Sequence, residues 1–318
     1  MSTSHIKPNR TLWTGRDSVN QLYLHEKVAF VDKLNSVEQA QGKAFALLGY
    51  AADEGVRRNQ GRVGAKNGPE TIRKALTKQA NHLNPSTQLV DCGDIVCHEQ
   101  EMEAAHEAVS TTVSQLITQN YLPILLGGGH DLSFAHYRGI LNQLTNNQRI
   151  GIINLDAHFD LRTKVEQGNS GTPFYQIATE LASDFHYLCL GIQRQSNTQA
   201  LFDTAEKLGV DYVLNTDYHL GNWENIAQKL TNFINQVDHI YLTIDLDGFS
   251  SSIAPGVSAP SPLGFSWEVA YQTIRQICGS KKLISMDIVE LNPSFDVDLV
   301  TARLAAGIIY HVMDWLDG

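Results

Sequence analysis

The sequence predicts an α/β protein built on a largely parallel sheet with helices on both faces. Three observations carry that expectation. Short apolar runs bounded by Gly, Asp or Asn recur along the chain, and amphipathic segments of helical length separate them. Polar clusters follow the runs at their carboxyl ends, where open parallel sheets bind their ligands. Taken in order, residues 1–43 are polar and irregular. They read as an arm packed on the domain, anchored by Trp13 and Tyr23, with a helix expected around 37–43. Eight runs then read as strands: 44–50, 88–91, 122–126, 150–155, 186–192, 211–214, 239–244 and 283–289. Between them, 101–118 sets Met102, Ala105, Val109, Val113 and Leu116 along one helical face, and 266–278 supplies another helix before the last strand. No repeat, low-complexity segment or linker divides the chain, so residues 1–318 are expected to form a single domain.

Composition narrows the function. With 42% hydrophobic residues in 318, the chain can bury a substantial core. Its net charge of −10, from 34 acidic and 24 basic residues, argues against a nucleic-acid or anionic-membrane surface and for a small polar substrate. Cys92, Cys97, Cys189 and Cys278 have neither CxxC spacing nor a second pair to complete a zinc site, and most sit in apolar runs as reduced core thiols do. No apolar stretch reaches the roughly 20 residues that span a bilayer. The amino terminus has no signal-peptide core, so a cytoplasmic protein is expected.

Chemistry concentrates at three strand ends. Asp156, His158 and Asp160 alternate after the 150–155 run, and side chains two apart in an extended chain point the same way. Three ionisable groups in one crevice repel or desolvate one another unless a cation neutralises them. Asp245 and Asp247 repeat the spacing after 239–244; alone they could be a solvated turn before Gly248. Gly127-Gly128-Gly129-His130-Asp131 follows 122–126, and its glycines allow a tight turn with positive φ. This turn lacks the GK[ST] ending of a P-loop and the GxGxxG spacing of dinucleotide sites. His130 is there either a ligand or a turn histidine capping the next helix. Carboxylates with imidazoles and no thiolate suit Mn²⁺ or another hard divalent ion. Six ligands are too many for one catalytic ion with an open position, and suit two ions sharing carboxylates with a water between them as nucleophile.

These stretches resemble the ureohydrolases, the family of arginase and agmatinase, whose patterns are a GGxH turn, DAHxD and a later DxD. They match Gly127-Gly128-Gly129-His130, and Asp156-Ala157-His158-Phe159-Asp160 and Asp245-Leu246-Asp247 at every ligand position; arginases usually have an aspartate before the turn histidine, where this chain has Gly129. The resemblance runs from about residue 44 to the carboxyl terminus and implies a three-layer α/β/α sandwich with an eight-stranded, mainly parallel sheet. It implies two Mn²⁺ ions, one held by His130, Asp156, Asp160 and Asp245, the other by Asp156, His158, Asp245 and Asp247, with Asp156 and Asp245 bridging. Glu290 matches the glutamate that orients the substrate's amidine or guanidine, a planar cation that pairs well with a carboxylate.

The departures point to one branch. Residues 168–174 hold no histidine where arginases and agmatinases carry a proton shuttle, and the DxD stretch continues through Gly248-Phe249-Ser250 instead of reaching an Asp-Pro pair. With Trp13-Thr14-Gly15-Arg16, residues 53–62 and Ser170-Gly171-Thr172-Pro173-Phe174, these features are similar to the branch that cleaves N-formimidoyl-L-glutamate to L-glutamate and formamide in histidine degradation. By that resemblance Asp160 protonates the leaving nitrogen, with water near Ser170 as another route. Arg162, where arginases carry a substrate-contacting asparagine, receives a substrate carboxylate, with Arg57, Arg58 and Arg194 as second choices; Arg162 could instead only neutralise the acidic shell. The rivals are hydrolysis of a guanidino compound (agmatine, guanidinobutyrate or arginine) and a metal-binding protein of the same fold without turnover. A homo-oligomer is left open.

Overall fold

Strands buried on both faces need apolar side chains in both directions. In the strand Ala44–Ala51, Phe45 and Leu47 enter one core while Ala46, Leu48 and Tyr50 enter the other; in Ile150–Leu155, Ile153 and Leu155 are divided in the same way from Ile150 and Ile152. The computed structural model describes residues 5–144, 148–163, 166–181 and 184–318. Its strands are β1 (His5–Ile6), β2 (Ala29–Phe30), β3 (Ala44–Ala51), β4 (Gln88–Val96), β5 (Leu122–Leu126), β6 (Ile150–Leu155), β7 (His186–Ile192), β8 (Asp211–Leu214), β9 (His239–Asp245) and β10 (Leu283–Val289). They form one sheet in the order β1-β4-β3-β5-β10-β9-β6-β7-β8, with β2 also on β4. Every pairing is parallel except β1 with β4. All eight expected strands are present. The sheet has ten because the arm adds two strands of two residues each to β4.

The helices are α1 (Leu24–Lys27), α2 (Glu54–Arg58), α3 (Gly68–Leu76), α4 (Met102–Thr118), α5 (Leu132–Leu141), α6 (Pro173–Leu181), α7 (Gln199–Lys207), α8 (Trp223–Ile234), α9 (Trp267–Gly279) and α10 (Val300–Asp317). One outer layer is the packed series α3, α10, α9 and α8, and the other contains α4, α5 and α6. The class is the expected three-layer α/β/α sandwich. On α4, Met102, Ala105, Val109, Val113 and Leu116 are all buried, as their spacing requires.

The arm differs in part from its expectation. No helix forms at 37–43: a 3-10 turn, Leu34–Ser36, precedes an irregular segment. Seven residues are too few to nucleate a helix unaided. The Ala40 N–H is given to Gln119 O beyond α4, and Gly42 turns the chain at φ 96°. Trp13 is a true anchor, buried with Nε1 donating to Asp91 Oδ2 at 2.8 Å, while Tyr23 is half-buried and stacks on His25. Residues 1–4 of the arm lie outside the described residues. All four cysteines are free thiols, and among the described residues no helix is long and apolar enough to cross a membrane.

Candidate active site

Four adjacent strands, β5, β10, β9 and β6, supply the site from their carboxyl ends. The turn after β5 carries His130, the end of β10 carries Glu290, β9 runs out into Asp245 and Asp247, and β6 into Asp156, His158 and Asp160. Residues 160 positions apart in sequence thus lie on neighbouring strands.

The glycines of the β5 turn serve close approach, not positive φ. None of the three is left-handed. A Cβ at Gly127 would come within 2.6 Å of Val289 Cγ1, one at Gly128 within 2.0 Å of Ala52 O, and one at Gly129 within 2.6 Å of Asp131 Oδ1. The turn is squeezed between β3 and β10, which delivers His130 to the middle of the site. Left-handed backbone falls instead on two side chains of the site, Asp160 at φ 48° and Glu290 at φ 68°. For residues with a Cβ this conformation is costly and persists where the surroundings impose it.

His130 Nδ1 lies 3.2 Å from Asp156 Oδ2, 3.0 Å from Asp160 Oδ2 and 3.1 Å from Asp245 Oδ2. Despite those distances it makes no aligned hydrogen bond, and Asp247 Oδ1 is likewise buried without a partner. A second group adjoins the first: His158 Nδ1 is 3.5 Å from Asp156 Oδ1 and 3.3 Å from Asp247 Oδ2. The donor atoms of His130, Asp156, Asp160 and Asp245, and separately those of Asp156, His158 and Asp247, lie within 4.8 Å of one another. Buried donors aimed at one point without bonding each other are what a pair of cations requires, so the residues fit a binuclear metal centre. Asp156 belongs to both groups, one oxygen to each. Asp245 is grouped with the first, its Oδ2 facing His130 while its Oδ1 accepts the Asp247 N–H at 2.8 Å.

Electrostatics agree with that fit. Burial drives the Asp245 carboxyl well above its ordinary value, reinforced by the charges of Asp247 and Asp156. Burial pushes Asp247 up to about 6 against the pull of His158. Glu290 is raised well above the carboxylate range by burial and by Asp245. For Asp156 burial acts upward, but the adjacent His130 and His158 rings outweigh it and hold the group below the usual range. Burial disfavours charge on both imidazoles, yet the facing carboxylates raise His130 and His158 well above their ordinary value. Divalent ions reverse the upward shifts among these.

A cleft of about 290 Å³ opens above these groups, lined by His130, His158, Asp160, Asp245, Asp247 and Glu290 on its floor and by Asn59, Arg62, Arg162 and Ser170 on its wall. Arg162 Nη1 donates to Asn59 Oδ1 at 2.7 Å, and Asn59 Nδ2 donates to Ser170 Oγ at 3.1 Å. The other candidate arginines lie off the cleft. Arg57 is half exposed and paired with Glu54; Arg58 is buried between Glu54 and Glu103 and also donates to the carbonyls of Gln100 and Gly168; Arg194 lies over the Phe202 ring. Sequence reasoning missed Asn59 and Arg62. Arg62 is turned toward the carbonyls of Val257 and Ser258 with its guanidinium 3.6 Å from the centre of the Phe295 ring.

A profile of the Arginase family matches residues 43–314, and the chain belongs to that family. Within it, the chain is 45% identical over 318 residues to the formimidoylglutamase of Aeromonas salmonicida, covering 98% of each. It is 41% identical over 304 residues to that of Chromobacterium violaceum, covering 95% of this chain and 96% of the other. Among solved structures, a Trypanosoma cruzi formiminoglutamase with Mn²⁺ superposes with a TM-score of 0.76 at 25% identity, over 89% of this chain and 97% of its own. Bacillus subtilis formimidoylglutamase gives 0.82 at 24% identity, over 96% and 94%, a likeness of fold.

Proposed function

We propose that this chain hydrolyses N-formimidoyl-L-glutamate to L-glutamate and formamide, a step of histidine degradation, with two Mn²⁺ ions. The observation that carries the reading is the union, in one cleft, of a two-group donor cluster, a buried carboxylate at Glu290 and an arginine at Arg162. The identity to two formimidoylglutamases supports the substrate, and Mn²⁺ in the Trypanosoma structure supports the metal. His130, Asp156, Asp160 and Asp245 hold one ion, and Asp156, His158 and Asp247 the other. Oxygen-rich ligand sets with imidazole suit Mn²⁺. When bound, such ions supply Lewis acidity and make water nucleophilic at neutral pH.

The remaining chemistry belongs to the side chains. Glu290 accepts hydrogen bonds from the amidinium N–H groups and fixes the formimidoyl carbon over the cluster. Arg162, held by Asn59 and through it Ser170, pairs with a carboxylate of the glutamyl part. Asp160 takes up the proton that the attacking water gives up and passes it to the departing glutamate nitrogen. In the same reading the chain works as one domain in the cytoplasm.

The test is an assay of the Mn²⁺-loaded protein with N-formimidoyl-L-glutamate, following formamide and glutamate together. Equimolar release of both is expected. Urea released from agmatine, guanidinobutyrate or arginine, with formimidoylglutamate untouched, would assign the chain to a guanidino substrate.

A further inference from the structure

We infer that Thr243 and Asp287 are positioning residues that present His130 in the one tautomer able to bind a cation through Nδ1; the inference rests on the reading of His130 as a metal donor. A neutral imidazole carries one proton, and only its other nitrogen has a lone pair to give. Nδ1 of His130 faces the three carboxylates, and Nε2 lies 3.0 Å from Thr243 Oγ1. A threonine hydroxyl has a single proton, and that of Thr243 is given to Asp287 Oδ1 at 2.6 Å. Thr243 Oγ1 can therefore only accept from the histidine. In the neutral ring the imidazole proton is therefore held on Nε2, and Nδ1 is left bare toward the carboxylate cluster.

What keeps the Thr243 proton on Asp287 is also visible. Asp287 is wholly buried, and its other oxygen accepts from Tyr241 Oη and from His136 Nδ1, the latter at 2.7 Å, so donors fix it as the acceptor of the chain. Ser133 Oγ, 3.3 Å from Thr243 Oγ1, is a further donor toward the same oxygen. The alignment depends on the sheet. Thr243 and Asp287 are register partners on β9 and β10, and Tyr241 lies two residues before Thr243 on the same face. None of Thr243, Tyr241, His136 and Asp287 lines the cleft. Tyr241, Thr243 and Asp287, polar side chains buried within β9 and β10, thus acquire a common purpose, the orientation of one ligand ring from behind, as partners of a ligating histidine commonly do.

The test compares Thr243→Val, which keeps the shape and removes the hydroxyl, with Thr243→Ser, which keeps the hydroxyl. Mn²⁺ affinity and stoichiometry are measured by equilibrium dialysis against a chelator, and electron paramagnetic resonance reports whether two ions are coupled or one stands alone. Thr243→Val is expected to weaken the ion of the His130 group by about 10–100-fold. The other ion stays, so the spectrum passes from a coupled pair to an isolated ion. Thr243→Ser is expected to restore wild-type binding, and Asp287→Asn to weaken the same ion in the same direction. If the valine variant does not fold, Thr243→Ala takes its place. A folded Thr243→Val or Thr243→Ala chain that binds both ions as the wild type does overturns the positioning role. A wild-type chain that takes up no Mn²⁺ overturns the reading of the site itself, so the two failures are distinct.

Discussion

Glu290 Oε1 accepts the backbone N–H of His130 at 2.9 Å, while the N–H of Glu290 donates to Gly128 O at 2.9 Å. This reciprocal pair joins the end of β10 to the turn after β5, so the carboxylate assigned to the substrate also holds the backbone of a residue assigned to the metal. The two duties separate by substitution. Glu290→Gln keeps a carbonyl oxygen for the His130 N–H but loses the charge that receives an amidinium. We expect its melting temperature and metal content to match the wild type. A charge-assisted hydrogen bond contributes about 1.5–3 kcal/mol, so kcat/KM should fall by roughly 10–150-fold. Glu290→Ala also leaves a buried N–H without a partner and should cost about 1–3 kcal/mol of stability. Loss of bound metal in Glu290→Gln would show that this division of roles is wrong.

Asp156 is the residue on which both metal groups depend, through Oδ2 facing His130 and Oδ1 facing His158. Asp156→Ala should therefore abolish binding at both positions, and elemental analysis should find less than one ion per chain. Of the two imidazoles, Asp245 meets that of His130. Asp245→Ala should mainly weaken the ion of the His130 group, leaving about one ion per chain, the expectation for a site with one shared and one unshared carboxylate. Equal loss in the two variants would show that Asp245 bridges as well.

Much of this site could be read from the chain itself, because ligands at alternate positions after an apolar run announce both their direction and their place at a strand end. His130, Asp156, His158, Asp160, Asp245 and Asp247 do converge. The order in which their strands lie side by side was not legible. β5, β10, β9 and β6 pair across as many as 162 residues, Met286 with Ile124, and no local pattern records which apolar strand will neighbour which. The glycine turn misled for a related reason: crowding against Ala52 O and Val289 belongs to other strands, so a need for small residues looked like a need for positive φ. Thr243 and Asp287 did leave a signal, as polar residues inside apolar strands, but their purpose needs the register between β9 and β10. The arginines left none. Arg58 and Arg162 both follow strand ends, and only the partners Glu54, Glu103 and Asn59 tell a structural guanidinium from one at the cleft.

That contrast predicts opposite outcomes for the two arginines. Arg162 is exposed at the cleft with one side-chain partner among the described residues, so Arg162→Ala should leave the melting temperature and metal content unchanged. If it pairs with a substrate carboxylate, at about 1.5–3 kcal/mol, KM for formimidoylglutamate should rise by roughly one or two orders of magnitude. Arg58→Ala removes one of the two arginines paired with the buried Glu54 and the donor to two carbonyls, and should lower stability by about 1–3 kcal/mol with little change in KM. An unaltered KM in Arg162→Ala removes it from the substrate site and leaves Arg62 as the remaining arginine of the cleft wall.

The last prediction concerns pH. In the metal-free chain Asp245, Asp247, Glu290, His130 and His158 are all raised, the acids by burial and the imidazoles by facing carboxylates that outweigh burial. A group whose pKa is raised on folding stabilises the fold below its unfolded value, and that contribution is lost as the pH rises through the folded value. For Asp247 the window runs from the ordinary 3.8 to about 6; the other four act in the same direction. Asp156 acts oppositely, but its folded value is depressed, so its contribution is lost only as the pH falls below the usual carboxylate range. The metal-free protein should accordingly lose stability from the site as the pH climbs. Metal binding requires the ligands among them, Asp245, Asp247, His130 and His158, deprotonated and releases their protons, so it gains in apparent affinity over the same climb. The rise in melting temperature on adding Mn²⁺ should therefore be larger at about pH 8 than at about pH 5.5. Isothermal titration in two buffers of different ionisation enthalpy should show protons released on binding. A shift that is the same at both pH values, or larger at the acidic one, would mean that the proton load of these ligands does not control occupancy of the centre.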